Sequence, residues 1–190
     1  MKNKKSVLLF ASGGGSNVEA ILNYFKNNDS IVFPAIITNN PKAKVMDIAA
    51  KHGIDCILLT KPVFESDVFI DTIDYLKPDL LVLAGFLWKI PSYMVEAYPN
   101  KIVNIHPSLL PKYGGKGMYG HFVHEAVIAH GETESGITIH FVNQQYDEGT
   151  ILIQKKIEIA QDDDATSLAK KVLFLEHSWY SQVIEGLLKE

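Results

Sequence analysis

The strongest constraint on this 190-residue chain is a rhythm of short, almost wholly apolar runs broken by amphipathic segments. Ser6–Ala11, Ile31–Thr38, Asp55–Leu59, Leu80–Ala84 and Ile102–Ile105 read as buried strands. Between them, Asn17–Asn27, Lys44–His52, Glu65–Leu76 and Pro91–Ala97 carry helical periodicity. Near-continuous Val/Ile/Leu runs separated by helices predict a parallel sheet covered on both faces. After His106 the pattern changes. Ser135–Val142 and Thr150–Ile159 are β-branched runs joined by the turn-rich loop Asn143–Gly149, which predicts a hairpin. A last helix, Ala165–Leu188, follows Asp162–Asp164, which can serve as its cap and acidic first turn. No linker, repeat or low-complexity stretch divides the chain, so one domain over residues 1–190 is expected.

The glycine turn Ser12–Asn17, SGGGSN, follows the first strand and opens the first helix. Its glycines let an anion approach the backbone, and the helix start offers free N–H groups. Ser16 and Glu19 have capping-box spacing, which predicts the helix start. A dinucleotide fingerprint fails here, because Val18 holds the third glycine position and the second strand ends in Thr38-Asn39-Asn40 without an acid. A P-loop fails too, since no Gly-Lys-Ser/Thr follows. A cradle for one phosphate remains, beside the bland alternative of a tight turn with no ligand.

Charge sharpens that reading. Lysine supplies all 18 basic side chains, so the chain lacks arginine, and 22 acids bring the net charge to −4. A nucleic-acid surface would show a clustered excess of base. Without guanidinium forks, an anion must be held by backbone N–H groups, a helix N-terminus or lysine. Cys56 is the sole cysteine, so no internal disulfide forms, which suits a reducing cytoplasm. Its apolar neighbours predict a buried strand thiol. Met1–Lys5 imitates a signal peptide, but the apolar run before SGGGS is only five residues. No stretch approaches the ~20 apolar residues of a membrane span.

Ligands of open parallel sheets bind beyond the carboxyl ends of the strands. One such end reads Asn104-Ile105-His106-Pro107-Ser108. Strand alternation points Asn104 and His106 to one side, about 7 Å apart, so an amide donor and an imidazole face one volume. The hairpin loop supplies Asp147. Placed beside His106, it would raise the histidine pKa and keep an imidazolium available; as a turn residue it would only shape the backbone. His121 and His124 share a helix face but lack the further ligands a metal needs. The glycine-rich segment Lys112–Gly120 reads as a mobile loop over the site.

These residues carry a resemblance. NIHPSLLPKY (Asn104–Tyr113), with GGGSN (Gly13–Asn17), LAGF (Leu83–Phe86), HFV (His140–Val142), the Asp147 loop and FLEHSWY (Phe174–Tyr180), resembles the phosphoribosylglycinamide formyltransferase family along essentially the whole chain. The resemblance implies a single-domain α/β, Rossmann-like formyltransferase fold. Residues 1 to about 100 would bind the nucleotide phosphate, and about 101–190 would carry the catalytic and folate-binding groups. It implies transfer of a formyl group from 10-formyltetrahydrofolate, the co-substrate, to the amine of glycinamide ribonucleotide through a tetrahedral intermediate. It implies no metal, no nucleic acid and no membrane partner, a cytoplasmic location, and a monomer or weak homodimer.

By the same resemblance, Asn104 would donate to the oxyanion, His106 would be the general acid, and Asp147 would hold it protonated. Gly15, Ser16 and Asn17 would bind the phosphate and Glu176 the ribose. Leu87, Trp88, Lys89 and Ile90, with Asn104, Asn143, Gln144, Gln145, Tyr146 and Asp147, would line the folate pocket. The chain departs from the pattern where Trp88 stands at a frequent arginine, where Asp67 is acidic, and in the longer Lys112–Gly120 segment; Lys89 or Lys116 could serve the folate tail instead. The same signature occurs in methionyl-tRNA formyltransferases, which add an RNA-binding domain, and in formyltetrahydrofolate hydrolases, which usually add a regulatory one. A non-catalytic nucleotide-binding module would use SGGGSN and leave Asn104, His106 and Asp147 idle.

Overall fold

Every residue from Val7 to Ala11 is buried, so strand β1 (Lys5–Phe10) must lie at the centre of a sheet with both faces covered. The computed structural model describes residues 4–189; Met1–Asn3, the start of the segment that imitates a signal peptide, lie outside the described residues. Along the chain come α1 (Ser16–Phe25), β2 (Ile31–Val32), β3 (Ala35–Thr38), α2 (Val45–His52), β4 (Asp55–Leu58), α3 (Lys61–Glu65), α4 (Phe69–Leu76) and β5 (Leu80–Leu83). There follow α5 (Ser92–Ala97), β6 (Ile102–His106), α6 (His121–Ala129), β7 (Glu134–Phe141), β8 (Ile151–Glu158) and α7 (Ala165–Lys189).

Among the described residues the strands form one sheet in the order β4-β3-β1-β5-β6-β7-β8, with β2 beside the start of β1. Pairing is parallel from β4 through β6 and antiparallel for β6–β7 and β7–β8. The mostly parallel sheet with a closing hairpin and helix agrees with expectation. Strand alternation sorts the core into two layers. Val7 and Leu9 pack with α1, α6 and α7, whereas Leu8 and Phe10 pack with Phe64, Phe69, Ile73 and Met94 of α3, α4 and α5. Each such fully buried side chain contributes about 1.5–3 kcal/mol.

Several local readings are corrected. The run Ile31–Thr38 divides into β2 and β3, because Pro34 offers no N–H to a ladder. The expected helix Glu65–Leu76 divides into α3 and α4. Pro62 starts α3 early, and extended Ser66 interrupts, its hydroxyl accepting the Val68 N–H at 3.3 Å. The helix α6 emerges just after the glycine-rich segment, with His124 buried and His121 exposed beside Glu125 at 3.3 Å. Cys56 is half-buried, since β4 is the sheet's edge strand.

The capping box does not form. Gly15 is the N-cap, with a left-handed φ of 75°, and the helix begins at Ser16. Glu19 turns instead to Lys51, 2.6 Å away. A Cβ on Gly15 would meet Val45 and Ile48 side chains at 2.8 Å, so this glycine also lets α2 pack against the turn. The last helix behaves as its pattern predicts: Asp164 caps it, accepting the Ser167 N–H at 2.7 Å. Its buried stripe recurs every fourth residue, Leu168, Val172, Glu176, Tyr180, Ile184 and Leu188. Glu176 is the one charged group on that stripe.

Candidate active site

The cavity of about 480 Å³ beyond the strand ends is lined by residues from distant parts of the chain. Asn17 enters from α1, residues Gly85–Ile90 from the loop after β5, Asn104 and His106 from β6, His140 from β7, and Glu176 from α7. Backbone ties bring these loops together. Ser12 donates its N–H to Gly85 at 2.9 Å, and its hydroxyl accepts the Leu87 N–H at 2.8 Å. Asn40 donates to the Ser12 carbonyl at 3.1 Å. The loop after His106 is fastened by Thr138, which donates to the Ser108 carbonyl at 2.7 Å and accepts the Leu110 N–H at 3.0 Å.

Ile102 packs in the layer of α3–α5, and the two-residue period puts Asn104 and His106 on that same face. The β6–β7 register sets His140 directly opposite Asn104. His140 was not assigned a role from sequence, yet it is 2 % exposed and its Nε2 lies 3.2 Å from Asn104 Nδ2. Its Nδ1 donates to the Phe141 carbonyl at 2.9 Å, and its Nε2 lies between the Asn104 amide and the Asp147 carboxylate. That leaves the second Asn104 N–H free for the cavity. The available signal was alternation: Ile137 and Ile139 fill the apolar layer, so buried Thr138 and His140 must face the other way.

Asp147 reaches the site from the β7–β8 loop. Its Oδ2 lies 3.6 Å from His106 Nδ1 and its Oδ1 lies 3.7 Å from His140 Nε2. The loop is tightly prescribed: Asp147 has a left-handed φ of 55°, which aspartate tolerates, and any Cβ on Gly149 would collide with the Phe141 carbonyl. Burial pushes the Asp147 carboxyl up, but the His140 imidazole, the Gly115 N–H at 2.8 Å and His106 once it is protonated hold it below the usual range.

His106 corrects an expectation. It is 4 % exposed, and burial lowers its pKa by more than Asp147 and the Tyr113 carbonyl raise it. At rest the ring is therefore neutral near pH 7 rather than an imidazolium. Its Nε2 lies 2.7 Å from the Tyr113 carbonyl, which can only accept, so the proton sits on Nε2 and Nδ1 presents a lone pair toward Asp147. The segment Lys112–Gly120, expected to be a mobile cover, is tied to both members of this pair and walls the cavity with residues Gly115–Gly120.

On the other side of the cavity, Asn17 Nδ2 donates to Glu176 Oε2 at 2.6 Å, while Asn17 Oδ1 is buried without a partner. Burial pushes Glu176 up to about 7, against the pull of the Asn17 bond. Of the predicted phosphate residues, Asn17 alone lines the cavity; Ser16 is exposed and Gly15 is buried under α2.

Leu87, Trp88, Lys89, Ile90, Asn143, Gln145 and Tyr146 all line the cavity. Lys89 Nζ stands over the Tyr146 ring, 5.5 Å from its centre. Trp88 packs on Phe64 and Phe86 at 5.4 and 6.2 Å, so it serves an aromatic layer where a guanidinium would seek solvent. Gln144 does not join the pocket: its exposed amide donates to Glu96 at 3.1 Å and leads away.

The chain belongs to the formyl transferase family, whose sequence model matches residues 5–184. It is 40 % identical to the chloroplastic phosphoribosylglycinamide formyltransferase of Vigna unguiculata over 98 % of this chain, spanning 62 % of that protein's length. The Bacillus subtilis phosphoribosylglycinamide formyltransferase is 34 % identical over 97 % of this chain and 95 % of its own. The crystal structure of phosphoribosylglycinamide formyltransferase from Anaplasma phagocytophilum superposes with a TM-score of 0.88 at 31 % identity, covering 97 % of this chain and 86 % of that one.

Proposed function

We propose that the chain transfers the formyl group of 10-formyltetrahydrofolate to the primary amine of glycinamide ribonucleotide, yielding the formylated nucleotide and tetrahydrofolate for purine synthesis. The carrying observation is the meeting of Asn104, His106, His140 and Asp147 in one cavity with the Asn17–Glu176 pair. The N-terminal half, through the Gly15–Asn17 turn, would hold the phosphate on backbone N–H groups. Glu176 would accept the ribose hydroxyls. The C-terminal half, together with the loop after β5, would hold the folate, with its ring against Leu87, Ile90 and Val142 and its tail toward Lys89 and Lys116.

In this reading the free Asn104 N–H stabilises the oxyanion that forms as the amine attacks the formyl carbon, a donor worth about 3–4 kcal/mol of barrier. His106, neutral at rest, takes the proton that the attacking nitrogen sheds. Asp147, ionised, stabilises the resulting imidazolium until the proton passes to the departing folate nitrogen. The lone cysteine and small-molecule substrates suit a cytoplasmic enzyme.

The experiment is turnover with the ribonucleotide and the formyl folate together, then with each left out. Formation of formylated nucleotide only with both present is expected. Release of tetrahydrofolate at the same rate without the ribonucleotide would make the protein a hydrolase instead.

A further inference from the structure

Tyr113, which holds His106, is itself held from outside the cavity. Its backbone has a left-handed φ of 56°, a conformation that a bulky residue keeps only when its surroundings enforce it. Three contacts enforce it. Ser108 Oγ donates to the Lys112 carbonyl at 2.7 Å, Lys112 Nζ reaches Glu132 at 2.8 and 3.1 Å, and Tyr113 Oη donates to Glu132 Oε1 at 2.9 Å. Glu132 lies in the turn between α6 and β7 and lines no part of the cavity. One carboxylate thus receives two consecutive side chains, and the carbonyl of the second lies on His106 Nε2 at 2.7 Å.

We propose that Glu132 is a positioning residue for His106: by clasping Lys112 and Tyr113 it keeps the Tyr113 carbonyl on Nε2 and so fixes which ring nitrogen His106 presents to Asp147. This rests on reading His106 as the proton-transfer group. An isolated surface ion pair of this kind adds little stability, so the role of the clasp is geometric. Without it, Tyr113 relaxes from its left-handed conformation, its carbonyl swings off Nε2, and the neutral ring is free to change tautomer.

The groups that face His106 are Asp147 from the β7–β8 loop, His140 from β7, His124 from α6 and the Tyr113 carbonyl. Only the last depends on the clasp. Glu132 is faced by Lys112, Tyr113 and His130, which hold its carboxyl below the usual range, so it stays ionised through the working pH range. Because the Tyr113 carbonyl raises the His106 pKa, its loss moves the His106 titration to lower pH.

The test compares Glu132→Ala, Glu132→Gln and Tyr113→Phe in the full chain. The imidazole NMR titration of His106 in the free protein, assigned with His106→Gln, is read beside steady-state kinetics and the thermal midpoint. Glu132→Ala and Tyr113→Phe are expected to move the His106 titration and the acid limb of kcat to lower pH. They should lower kcat roughly ten- to hundredfold and leave the nucleotide KM within about twofold. Glu132→Gln, which still accepts both donors, should restore most of the rate. A thermal midpoint that falls with an unmoved His106 titration overturns the proposal, as does wild-type kcat in both Glu132→Ala and Tyr113→Phe. Should Glu132→Ala not fold, Tyr113→Phe decides alone. If the wild-type protein transfers no formyl group, the proposed reaction fails, while the NMR titration still judges the clasp.

Discussion

Two carboxylates share the cavity, and the protein drives them in opposite directions. Glu176 sits on the apolar stripe of α7 with one neutral donor, Asn17, and is pushed up to about 7. Asp147 is also desolvated, yet the Gly115 N–H and two imidazoles hold it below its usual value. Glu176 is the more deeply buried of the two, so the depth of burial and the number and charge of the donors together set the difference. Under the proposed reaction, the carboxylate that has to stay ionised beside the proton-transfer histidine is the one given several donors. The one left nearly bare has lone pairs open to further donors, which under the proposed reaction would be the ribose hydroxyls.

The largest expected effect breaks the Asp147 side. Asp147→Asn keeps the shape but removes the charge that stabilises a His106 imidazolium, so kcat should fall about 10³-fold, as should His106→Ala. Circular dichroism should show the fold intact, and near-normal turnover would remove the altered residue from the mechanism. Next comes Asn104→Ala, with an expected loss of about 10²-fold in kcat at an unchanged nucleotide KM. A KM effect without a kcat effect would assign Asn104 to ground-state binding instead.

The Glu176 side should respond in binding and in stability. Glu176→Gln is expected to raise the nucleotide KM roughly tenfold, the loss of a charge-assisted hydrogen bond. The sign of its pH effect follows from the raised pKa. Unfolded, Glu176 ionises near 4.5; folded, it does so near 7. Its stabilising contribution is therefore complete below about pH 4.5 and is lost as pH rises through about 7. The difference amounts to about 3 kcal/mol. Thermal melts at pH 5 and pH 8 should show the wild type losing roughly 5 °C or more relative to Glu176→Gln at the higher pH. Parallel curves would mean that Glu176 ionises normally. The smallest effect is expected for Gln144→Ala, whose side chain bonds Glu96 outside the cavity: kcat and the folate KM should stay within about twofold. A larger rise in the folate KM would return Gln144 to the pocket.

Much of this architecture was legible in the chain. The apolar runs fixed the strands, because a fully covered strand has no polar face to show, and alternation alone puts Asn104 and His106 on one side. The legible part failed where local chemistry competes with pattern. Pro34 and Ser66 broke elements that periodicity drew as continuous, and Ser16 and Glu19 had capping spacing that Gly15 and Lys51 overrode. His140 was missed as an individual residue because its partner, Asn104, is 36 positions away and only the β6–β7 register brings them together.

The sequence by itself determined the alternating strands and helices, the glycine turn that opens the first helix and the residue types of the site, since each follows from periodicity or local backbone chemistry. Protonation needed the tertiary structure. Whether His106 rests neutral, whether Asp147 stays ionised and whether Glu176 lies near 7 depend on which donors and how much apolar surface surround each group. Those neighbours come from α1, β6, β7, the β7–β8 loop and the Lys112–Gly120 segment, which only folding brings together.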